Sequence, residues 1–444
     1  MGCPKNDADS RGLARAVQQR GVPLATQPDH AEFIVINTCG FIREATTQSL
    51  DAIMEATSAY PQAKLVVVGC LVERFRAALE ADIPEVAAWF GVEQVEETAA
   101  WIAAEACPPG DGMPGSQVGP AVAVSALVPP SGGAWGYVKV SDGCDHLCSF
   151  CAIPLIKGPY HALPLEQVLE QANVVLAAGA RELVMVGQDT ALWRDGRRGL
   201  AEMVEELARD PRVAWLRFMY LQPEHVGREL LELIAQHPKV CHYLDLPFQH
   251  AAAAVLRRMR REGDGATHLA LLRRAETLMP DVSLRSTFIA GFPGETEEDF
   301  EELLCFVREA CFDHAGCFGF SPEEGTEAFE LRPRVGVKEV RRRLARLSSL
   351  LLDVAEEKAA TLVGRQVEVL IDGPAGQGSP PDAVAVGRTY RQAPEVDGVT
   401  YVSRAAPVQV PLGALVRAVV VDTLGSDLIA EYAEPVETVG EQVS

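Results

Sequence analysis

Three cysteines lie close together in the stretch SDGCDHLCSFCAIP of this 444-residue chain, at Cys144, Cys148 and Cys151. Gaps of three and then two residues separate them, and the next cysteine in the sequence is Cys241. A structural zinc site usually brings a second Cys or His pair about a dozen residues further on. Only His161 is available there, so this group of thiols is one ligand short of a closed metal site.

Thiolates are the usual protein ligands of iron–sulfur clusters, and three of them on a cubane cluster leave one iron free to bind another molecule. The spacing therefore favours a cluster with an open coordination position. A zinc loop completed by a distant residue would also account for the three thiols, and so would a set of buried structural cysteines. The predicted place of the loop, directly after a β-strand at WGYVKVSDG, favours the cluster.

A second group of candidate ligands lies near the start of the chain. Cys3, Cys39 and Cys70 each lie beside a glycine in a predicted loop, in GCPKN, TCGF and GCL. Convergence of these loops on one metal site explains the pattern better than random burial, so we expect a second cluster. For the remaining cysteines, in apolar or helical contexts, small buried residues are the simpler explanation. They are Cys107, Cys241, Cys305, Cys311 and Cys317.

The composition excludes several classes of protein. An odd number of cysteines, 11, in a large chain with a polar beginning argues against a secreted disulfide framework. No uninterrupted run of about eighteen apolar residues is present, so we expect a soluble cytoplasmic protein that does not bind a membrane. The formal net charge of -22 disfavours a nucleic-acid partner and favours a basic protein partner.

Two β-branched runs, AEFIVINTC and KLVVVGC, are each followed by a helical stretch. These predicted strands and helices must position the N-terminal thiols. They predict a small α/β domain over residues 1–107. The helical stretch after Cys3 has no strand before it, because the chain begins at Met1; we expect a shortened chain or a start further upstream. Residues 108–134 are rich in Pro and Gly and predict a linker.

Six β-then-α units follow in residues 135–362, and such repeats predict a parallel sheet, here a partial (β/α)6 barrel. Short strands broken by Gly and Pro then predict a small antiparallel β-barrel of about five strands over residues 363–435, with a tail at 436–444. The predicted fold class is thus α/β, with a small α/β domain, a central partial barrel and a C-terminal β-barrel.

The turn GFPGET follows an apolar strand of the predicted barrel and contains Gly291, Pro293 and Gly294. Its backbone amides could meet an anionic or adenine-bearing ligand, although such a turn is usually only a strand-to-helix connection. Candidate polar residues at or within strands also face the predicted cavity, or serve as hydrogen-bonded barrel residues. They are Gln188, Gln249 and Arg285.

The cysteine loop matches the three-cysteine signature of radical S-adenosylmethionine enzymes, and the chain resembles that superfamily. The resemblance implies that S-adenosylmethionine chelates the open iron and that an electron from the cluster cleaves it to methionine and a deoxyadenosyl radical. Phe150 matches an aromatic residue close to the cofactor, though loop packing explains it equally well. The GFPGET turn resembles the cofactor-contacting motif of the same enzymes.

The N-terminal cysteines, the barrel and the C-terminal segment, which resembles a TRAM domain, together resemble the methylthiotransferases over nearly the whole chain. That resemblance implies two 4Fe-4S clusters, with the N-terminal cluster delivering sulfur, and a second S-adenosylmethionine as methyl donor. One branch of the family acts on adenosine in transfer RNA and another on an aspartate of the small-subunit ribosomal protein S-twelve. GCPKN, YLDLPFQH and APEVDG resemble the ribosomal-protein branch, whereas IKGPYHALP departs from its more basic pattern.

The predicted reaction therefore converts the aspartate β-carbon C–H into C–S–CH3, and the predicted partners are a basic ribosomal protein and an electron donor. Five arginines oppose nine carboxylates between Val363 and Glu434, so the C-terminal barrel is net acidic and suits a basic substrate better than transfer RNA. Asp397 in APEVDG is a candidate substrate contact, and we expect a monomer. Two rivals stay open, transfer-RNA methylthiolation and a non-catalytic iron–sulfur RNA-binding protein.

Overall fold

The structure is a computed structural model that describes residues 3–25, 27–106, 121–125, 133–403 and 410–436. The chain divides into two compact units. The first comprises Met1–Pro130, Asp142–His161 and Ser321–Phe329, and the second comprises Ser131–Ser141, Ala162–Phe320 and Glu330–Ser444. The division differs from the predicted domain limits, because the central cysteine loop belongs to the N-terminal unit and the C-terminal barrel belongs to the unit that contains the partial barrel.

The first unit contains a four-stranded parallel sheet with strand order β3-β2-β1-β4. Its elements are α1 (Pro4–Gln19), β1 (Phe33–Thr38), α2 (Arg43–Ala59), β2 (Lys64–Gly69), α3 (Cys70–Asp82), β3 (Ala88–Phe90), α4 (Val95–Ala106) and β4 (Val122–Ser125). The last strand, β4, lies inside the predicted linker and corrects that prediction, because its residue Val122 pairs with Phe33 of β1. Residues 107–120 and 126–132 of that linker lie outside the described residues.

Alternation along β1 explains why the sheet is covered on both faces. Ile34 and Ile36 pack in one apolar cluster with Ile53 of α2, while Phe33 and Val35 pack in another that includes α1 and α4. Successive side chains of a strand point to opposite faces, so a continuous apolar run must be buried on both sides. The run FIVINT is fully buried, as expected for a central parallel strand.

The chain continues through the elements of the central region. They are β5 (Trp135–Lys139), β6 (Ser141–Asp142), α5 (Ile153–Lys157), β7 (His161–Ala162), α6 (Leu165–Ala177), β8 (Glu182–Val186), α7 (Leu200–Ala208), β9 (Trp215–Phe218), α8 (Arg228–Gln236), β10 (Tyr243–Gln249), α9 (Ala253–Arg258), α10 (Gly265–Leu278), β11 (Ser283–Ala290), α11 (Glu297–Ala310), β12 (His314–Gly319) and α12 (Val337–Ala360).

The six long strands of this region are parallel and follow chain order, as β5-β8-β9 and β10-β11-β12. One bridge between Leu216 and Val240 lies where the two three-stranded sheets adjoin. Helices follow the strands, and one large apolar cluster joins strand and helix side chains of this unit. The partial barrel predicted from the β-then-α repeats is confirmed, and loops at the carboxyl ends of its strands are where such folds carry functional residues.

The second unit ends in a closed barrel of five strands with order β13-β14-β15-β17-β16. Its strands are β13 (Gln366–Pro374), β14 (Ala383–Arg388), β15 (Thr400–Ser403), β16 (Leu415–Leu424) and β17 (Asp427–Pro435). The predicted small barrel is confirmed, although the seam between β15 and β17 is parallel rather than antiparallel. Residues 437–444 of the predicted tail lie outside the described residues. Among the described helices, none is both long and apolar enough to cross a lipid bilayer.

Candidate metal centres

Cys39 and Cys70 are brought together by the register of the N-terminal sheet. Cys39 follows β1 and Cys70 follows β2, and the parallel register aligns Thr38 with Gly69. The two thiols therefore lie at the same edge of the sheet. Close approach of their loops requires glycine, because a Cβ on Gly40 would lie 2.8 Å from the Cα of Leu71, and one on Gly69 would lie 2.5 Å from Oδ1 of Asn37.

Cys3 reaches this edge through helix α1, whose N-cap it forms. The side-chain amide of Asn6 donates to the carbonyl oxygen of Thr38 at 3.2 Å, and the amide of Asn37 donates to the carbonyl oxygen of Asn6 at 2.9 Å. The same Asn37 amide donates to the hydroxyl of Ser10 at 2.9 Å. These buried hydrogen bonds fix the start of the helix against the end of β1, so Cys3 joins the other two thiols.

The three N-terminal thiols influence one another electrostatically. The pKa of Cys70 is raised to about 12, mainly by burial; the charge of Lys157 acts in the opposite direction, and the neighbouring thiols of Cys39 and Cys3 add to the increase. Burial and Cys3 likewise raise the pKa of Cys39. Without metal, the thiols of Cys39 and Cys70 stay protonated at neutral pH, so binding of iron must displace their protons. Three thiols at one sheet edge, two of them buried and Cys3 half-buried, fit an iron–sulfur cluster, whose ligands are thiolates.

The central cysteine loop closes mainly through its own backbone. The amide of Cys144 donates to the carbonyl oxygen of Gly158 at 3.1 Å, and that of Cys151 donates to the carbonyl oxygen of Cys148 at 3.1 Å. Gly143 has φ +67 and leaves no room for a Cβ beside the carbonyl oxygen of Pro159. These contacts turn the chain so that the loop brings its thiols together.

The pKa of Cys151 is raised to about 12, mainly by burial and in part by the thiols of Cys148 and Cys144. The charge of Lys5 lowers the pKa of Cys151 and also that of Cys39. One buried ammonium thus acts on both groups of thiols. We name Cys3, Cys39 and Cys70 the N-terminal triad and Cys144, Cys148 and Cys151 the loop triad; both lie in the first compact unit.

A segment from far along the sequence contacts residues that lie next to the two triads in the structure or along the chain. The carboxylate of Glu323 accepts from the backbone amide of Arg43 at 3.0 Å and from the guanidinium of Arg74 at 2.9 Å. Arg74 also donates to the carbonyl oxygen of Gly40 at 2.6 Å, next to Cys39. We call residues 321–329 the strap. Strand β12 ends at Gly319, and the strap that follows it belongs to the first unit.

At its other end the strap reaches the loop triad, because the backbone amide of Ala328 donates to the carbonyl oxygen of Ser149 at 2.7 Å. Helix α5 provides another contact between the triads, since Ala152 and Ile156 pack against Cys70. Sequence reasoning missed both the strap and this packing. No local pattern could have revealed them, because the partners are distant in the chain.

Three of the predicted cofactor-contacting residues lie at positions compatible with that role. The structure does not test the contact itself. Phe150 is half-buried within the loop triad. Gln188 lies two residues beyond β8, and its carbonyl oxygen accepts from the side chain of Gln222 at 3.3 Å. Gln249 is the last residue of β10 and has φ +69. Both glutamines are half-buried at carboxyl ends of barrel strands, where functional residues of such barrels lie.

The GFPGET turn is held by its own glutamate. The amides of Gly291 and Phe292 donate to the carboxylate of Glu295 at 2.7 and 3.0 Å, and Arg343 donates to the same carboxylate at 2.6 Å. The sequence predicted that amides of this turn could contact a ligand, but these two already donate hydrogen bonds to Glu295. Gly291 and Gly294 both have positive φ and bracket Pro293 in a fixed turn. At the end of the turn, Thr296 and Asp299 form a capping box at the start of α11.

Arg285 and Asp397 need correction. Arg285 is near the amino end of β11, and its guanidinium lies 2.8 Å from the carboxylate of Asp245 and 3.2 Å from that of Asp397. The Asp397 side chain is 0% exposed and also accepts from the Tyr243 hydroxyl at 2.6 Å. A buried carboxylate cannot contact a protein partner, and Arg285 is occupied in holding it. Both residues dock the APEVDG loop on the partial barrel within the second unit.

The remaining cysteines only partly follow the prediction of burial. Cys241 is buried and Cys317 is half-buried. Cys305 and Cys311 are exposed, which corrects the prediction for these two, because Cys305 lies on the outer face of α11 and Cys311 at its C-cap. Cys107 lies outside the described residues.

Family models match three parts of the chain. Residues 138–307 match the Radical SAM superfamily, residues 363–432 match the TRAM domain, and residues 1–91 match Uncharacterized protein family UPF0004. Among solved structures, the radical S-adenosylmethionine methyltransferase TsrM from Kitasatospora setae is 15% identical, with TM-score 0.48 and coverage of 82% of this chain and 71% of that one. A likeness that distant says nothing about activity.

Similarity to curated relatives extends over nearly the full length. The Ribosomal protein uS12 methylthiotransferase RimO of Syntrophus aciditrophicus is 38% identical over 453 residues, covering 97% of this chain and 96% of that protein. The protein of the same name from Moorella thermoacetica is 38% identical over 411 residues, covering 90% and 91%. That from Symbiobacterium thermophilum is 36% identical over 457 residues, covering 99% and 91%. With such identity along both chains, this protein belongs to the family of ribosomal protein uS12 methylthiotransferases.

Proposed function

We propose that this protein methylthiolates the β-carbon of an aspartate in the ribosomal protein uS12, using two 4Fe-4S clusters and S-adenosylmethionine. The observation that carries the proposal is the presence of two separate thiol triads in one compact unit of a chain that matches enzymes of that name over nearly its whole length. A single radical cluster would need only one triad. The second triad supports a distinct task, which we assign to sulfur supply.

The two sets of ligands have different tasks in this proposal. Cys144, Cys148 and Cys151 would hold a cluster with an open iron, and Cys3, Cys39 and Cys70 would hold the other. When bound, the first cluster supplies the electron that cleaves S-adenosylmethionine. The chain's own contribution is to shield both thiol sets from water in part; of the six ligands, Cys39, Cys70 and Cys144 are buried and the other three are half-buried.

The cofactor-contacting residues proposed for the second unit are Gln188, Gln249 and the turn with Gly291, Pro293 and Gly294; Phe150 is proposed from the loop triad. Support comes from their position at carboxyl ends of parallel strands, or in the cysteine loop itself. Glu295 fixes the turn through two backbone amides, so its shape does not depend on a ligand. A preformed turn loses little freedom on binding.

The surface of the C-terminal barrel supports a basic protein substrate. Arg388 and Arg391 are buried, so they do not contribute to the surface charge. Among the described charged residues of the barrel region, the arginine side chains that reach the surface are Arg365 and Arg417, and Arg417 is paired with Glu434 at 3.0 Å, whereas several acidic residues are exposed. They are Asp382, Glu395, Asp422, Glu431 and Glu434. Such a surface attracts a basic protein and repels a phosphate backbone. We further propose a cytoplasmic monomer that receives its electrons from a separate donor protein.

Mass spectrometry of uS12 and of digested transfer RNA, from cells with and without this gene, tests the proposal. We expect a methylthio group on one aspartate of uS12 that disappears with the gene, and no change in transfer RNA. A methylthio group gained only by adenosine would assign the protein to the transfer-RNA reaction instead. Absence of S-adenosylmethionine cleavage by anaerobically reconstituted protein would point to a non-catalytic role.

A further inference from the structure

Lys157 is a buried lysine that the proposed reaction does not use. Its residue is 4% exposed, and its ammonium lies 3.1 Å from a carboxylate oxygen of Asp9 and 3.0 Å from one of Asp142. Burial alone would lower the pKa of Lys157, but Asp9 and Asp142 raise it well above the ordinary value. The ammonium therefore stays charged, and a buried charge of this kind is retained only where it is paired.

The three charged groups come from elements that carry different cysteines. Asp9 lies on α1, the helix that begins directly after Cys3. Asp142 lies two residues before Cys144, and Lys157 ends α5, the helix that begins two residues after Cys151. One ammonium thus joins the helix of the N-terminal triad to both ends of the loop triad.

Packing around this ion bridge is incomplete. A small cavity of about 20 Å³, with room for about one water molecule, is lined by residues that include Asn6, Asp9, Asn37, Cys70 and Lys157. Ala152 and Ile156 also pack against Cys70. The cavity lining includes side chains of α1 and the last residue of α5, so packing between these two helices is interrupted here. The ion bridge crosses this gap and links the two helices directly.

We propose that Lys157 is a positioning residue, which clamps α1 to the loop triad and holds the two thiol triads at a fixed separation for sulfur transfer. The part of this inference that concerns transfer rests on the proposed function. The part that concerns the spacing of α1 and α5 does not, and it can be measured on metal-free protein.

The first experiment measures the reactivity of Cys70 in metal-free protein. Iodoacetamide labelling is read out by peptide mass spectrometry over a range of pH, so that the Cys70 rate can be expressed per thiolate; this is needed because the charge of Lys157 lowers the pKa of Cys70 and that of Asp9 raises it. The Cys70 rate per thiolate should be at least tenfold higher in Lys157→Met than in the parent, because α5 no longer covers the thiol. The exposed Cys305 in the second unit is the internal reference. Lys64→Met is the matched control, since Lys64 forms an exposed ion pair with Glu105 in the same unit. An unchanged Cys70 rate would overturn the proposal.

Asp9→Asn is a milder change, because it removes one of the two ion pairs of Lys157 and leaves the pair with Asp142 in place. It should also raise the Cys70 rate, and the Lys157→Met/Asp9→Asn double variant should show little more than either single change, since the two act through one bridge. Lys157→Arg keeps a cation between the carboxylates and should restore slow labelling. Full additivity of the two single changes would contradict a shared bridge, even if Lys157→Met alone folds poorly.

The second experiment uses reconstituted full-length protein and measures deoxyadenosine formed per methylthio group transferred. We expect Asp9→Asn to raise that ratio at least tenfold with the iron content unchanged, while Lys64→Met keeps the parental ratio. A parental ratio in Asp9→Asn overturns the positioning role. Failure of the parent itself to transfer a methylthio group would count against the proposed function, and the labelling of Cys70 would still decide the spacing.

Discussion

The two thiol triads differ in how the chain brings them together. The loop triad lies within one short segment, and backbone hydrogen bonds from Cys144 to Gly158 and from Cys151 to Cys148 close that segment on itself. The N-terminal triad is assembled from three separate places, the start of α1 and the ends of β1 and β2. Its geometry depends on the sheet register and on the hydrogen bonds that seat α1.

This difference teaches which changes each triad should tolerate. A local loop keeps its thiols together as long as its own turns form, whereas a site built from distant elements fails when any of its tertiary contacts fails. Perturbing the sheet, the strap or α1 should therefore remove the N-terminal cluster first. Substitutions that respect this division can separate the two centres experimentally.

The largest expected effect comes from removing the ligands themselves. Replacing Cys144, Cys148 and Cys151 together with Ala should remove roughly half of the bound iron and lower deoxyadenosine formation by about 10³-fold or more. Replacing Cys3, Cys39 and Cys70 should also remove half of the iron but leave cleavage of S-adenosylmethionine largely intact while transfer stops.

Iron analysis, absorption spectra and product chromatography on anaerobic protein provide the measurement. Equal loss of cleavage and transfer in the N-terminal variant, with the loop cluster still present, would show that the centres do not have separate tasks. Stoichiometric zinc that persists after reconstitution would contradict the iron–sulfur assignment for both.

Removing the strap contact should have the next largest effect. Glu323→Ala leaves the buried guanidinium of Arg74 without its carboxylate, which costs about 3–5 kcal/mol in typical buried pairs. We expect unfolding of the first unit at lower denaturant concentration and loss of N-terminal iron before loop iron. Glu324→Ala, at an exposed neighbouring position, should change stability by less than about 0.5 kcal/mol. Similar midpoints for the two variants would argue against the strap as a support.

A methyl group on Gly40 tests the close approach of the two N-terminal loops. Gly40→Ala places a Cβ against the backbone of Leu71, and such overpacking costs about 1–3 kcal/mol. Iron retention by the N-terminal triad should fall while deoxyadenosine formation stays near the parental rate. Gly12→Ala on α1, where a Cβ meets nothing within 4 Å, is the control and should be neutral or stabilising. Equal iron in both variants would refute the steric argument.

The smallest expected effect is a loss of stability at acidic pH in the second unit, which contains neither triad. Burial lowers the pKa of His268 to about 4, and its ring lies 4.4 Å from that of Phe248. Above pH 6.5 the imidazole is neutral in both states, but between pH 6.5 and 4 only the unfolded chain takes up a proton. Stability therefore falls as pH falls through that window, by about 2 kcal/mol at pH 5.

His268→Phe should remove this contribution, so that stability of the second unit changes less between pH 7.5 and 5 than in the parent. Denaturant titrations at the two pH values give the measurement, with His30→Gln at an exposed site as control. An identical pH dependence in His268→Phe and the parent would show that His268 is not neutral in the folded protein.

The sequence by itself determined the loop triad, the parallel barrel and the small C-terminal barrel, because spacing, apolar alternation and turn residues are local signals. Short β-branched runs at 33–38 and 64–69 predicted the strands that carry Cys39 and Cys70. The strand at Val122–Ser125 was missed, because four residues between long Pro- and Gly-rich stretches give too short a pattern to outweigh them.

Only the tertiary structure decided which charged residues meet. Arg285 was a candidate cofactor contact because it is a polar residue in a predicted barrel strand, and Asp397 was a candidate substrate contact because it lies in the APEVDG motif. The two instead neutralise each other where the APEVDG loop docks within the second unit. Lys157, Asp9 and Glu323 gave no local signal and nevertheless connect the elements around the triads. A buried charge must find a partner of opposite sign, and which partner lies within reach depends on the packing of distant elements rather than on spacing along the chain.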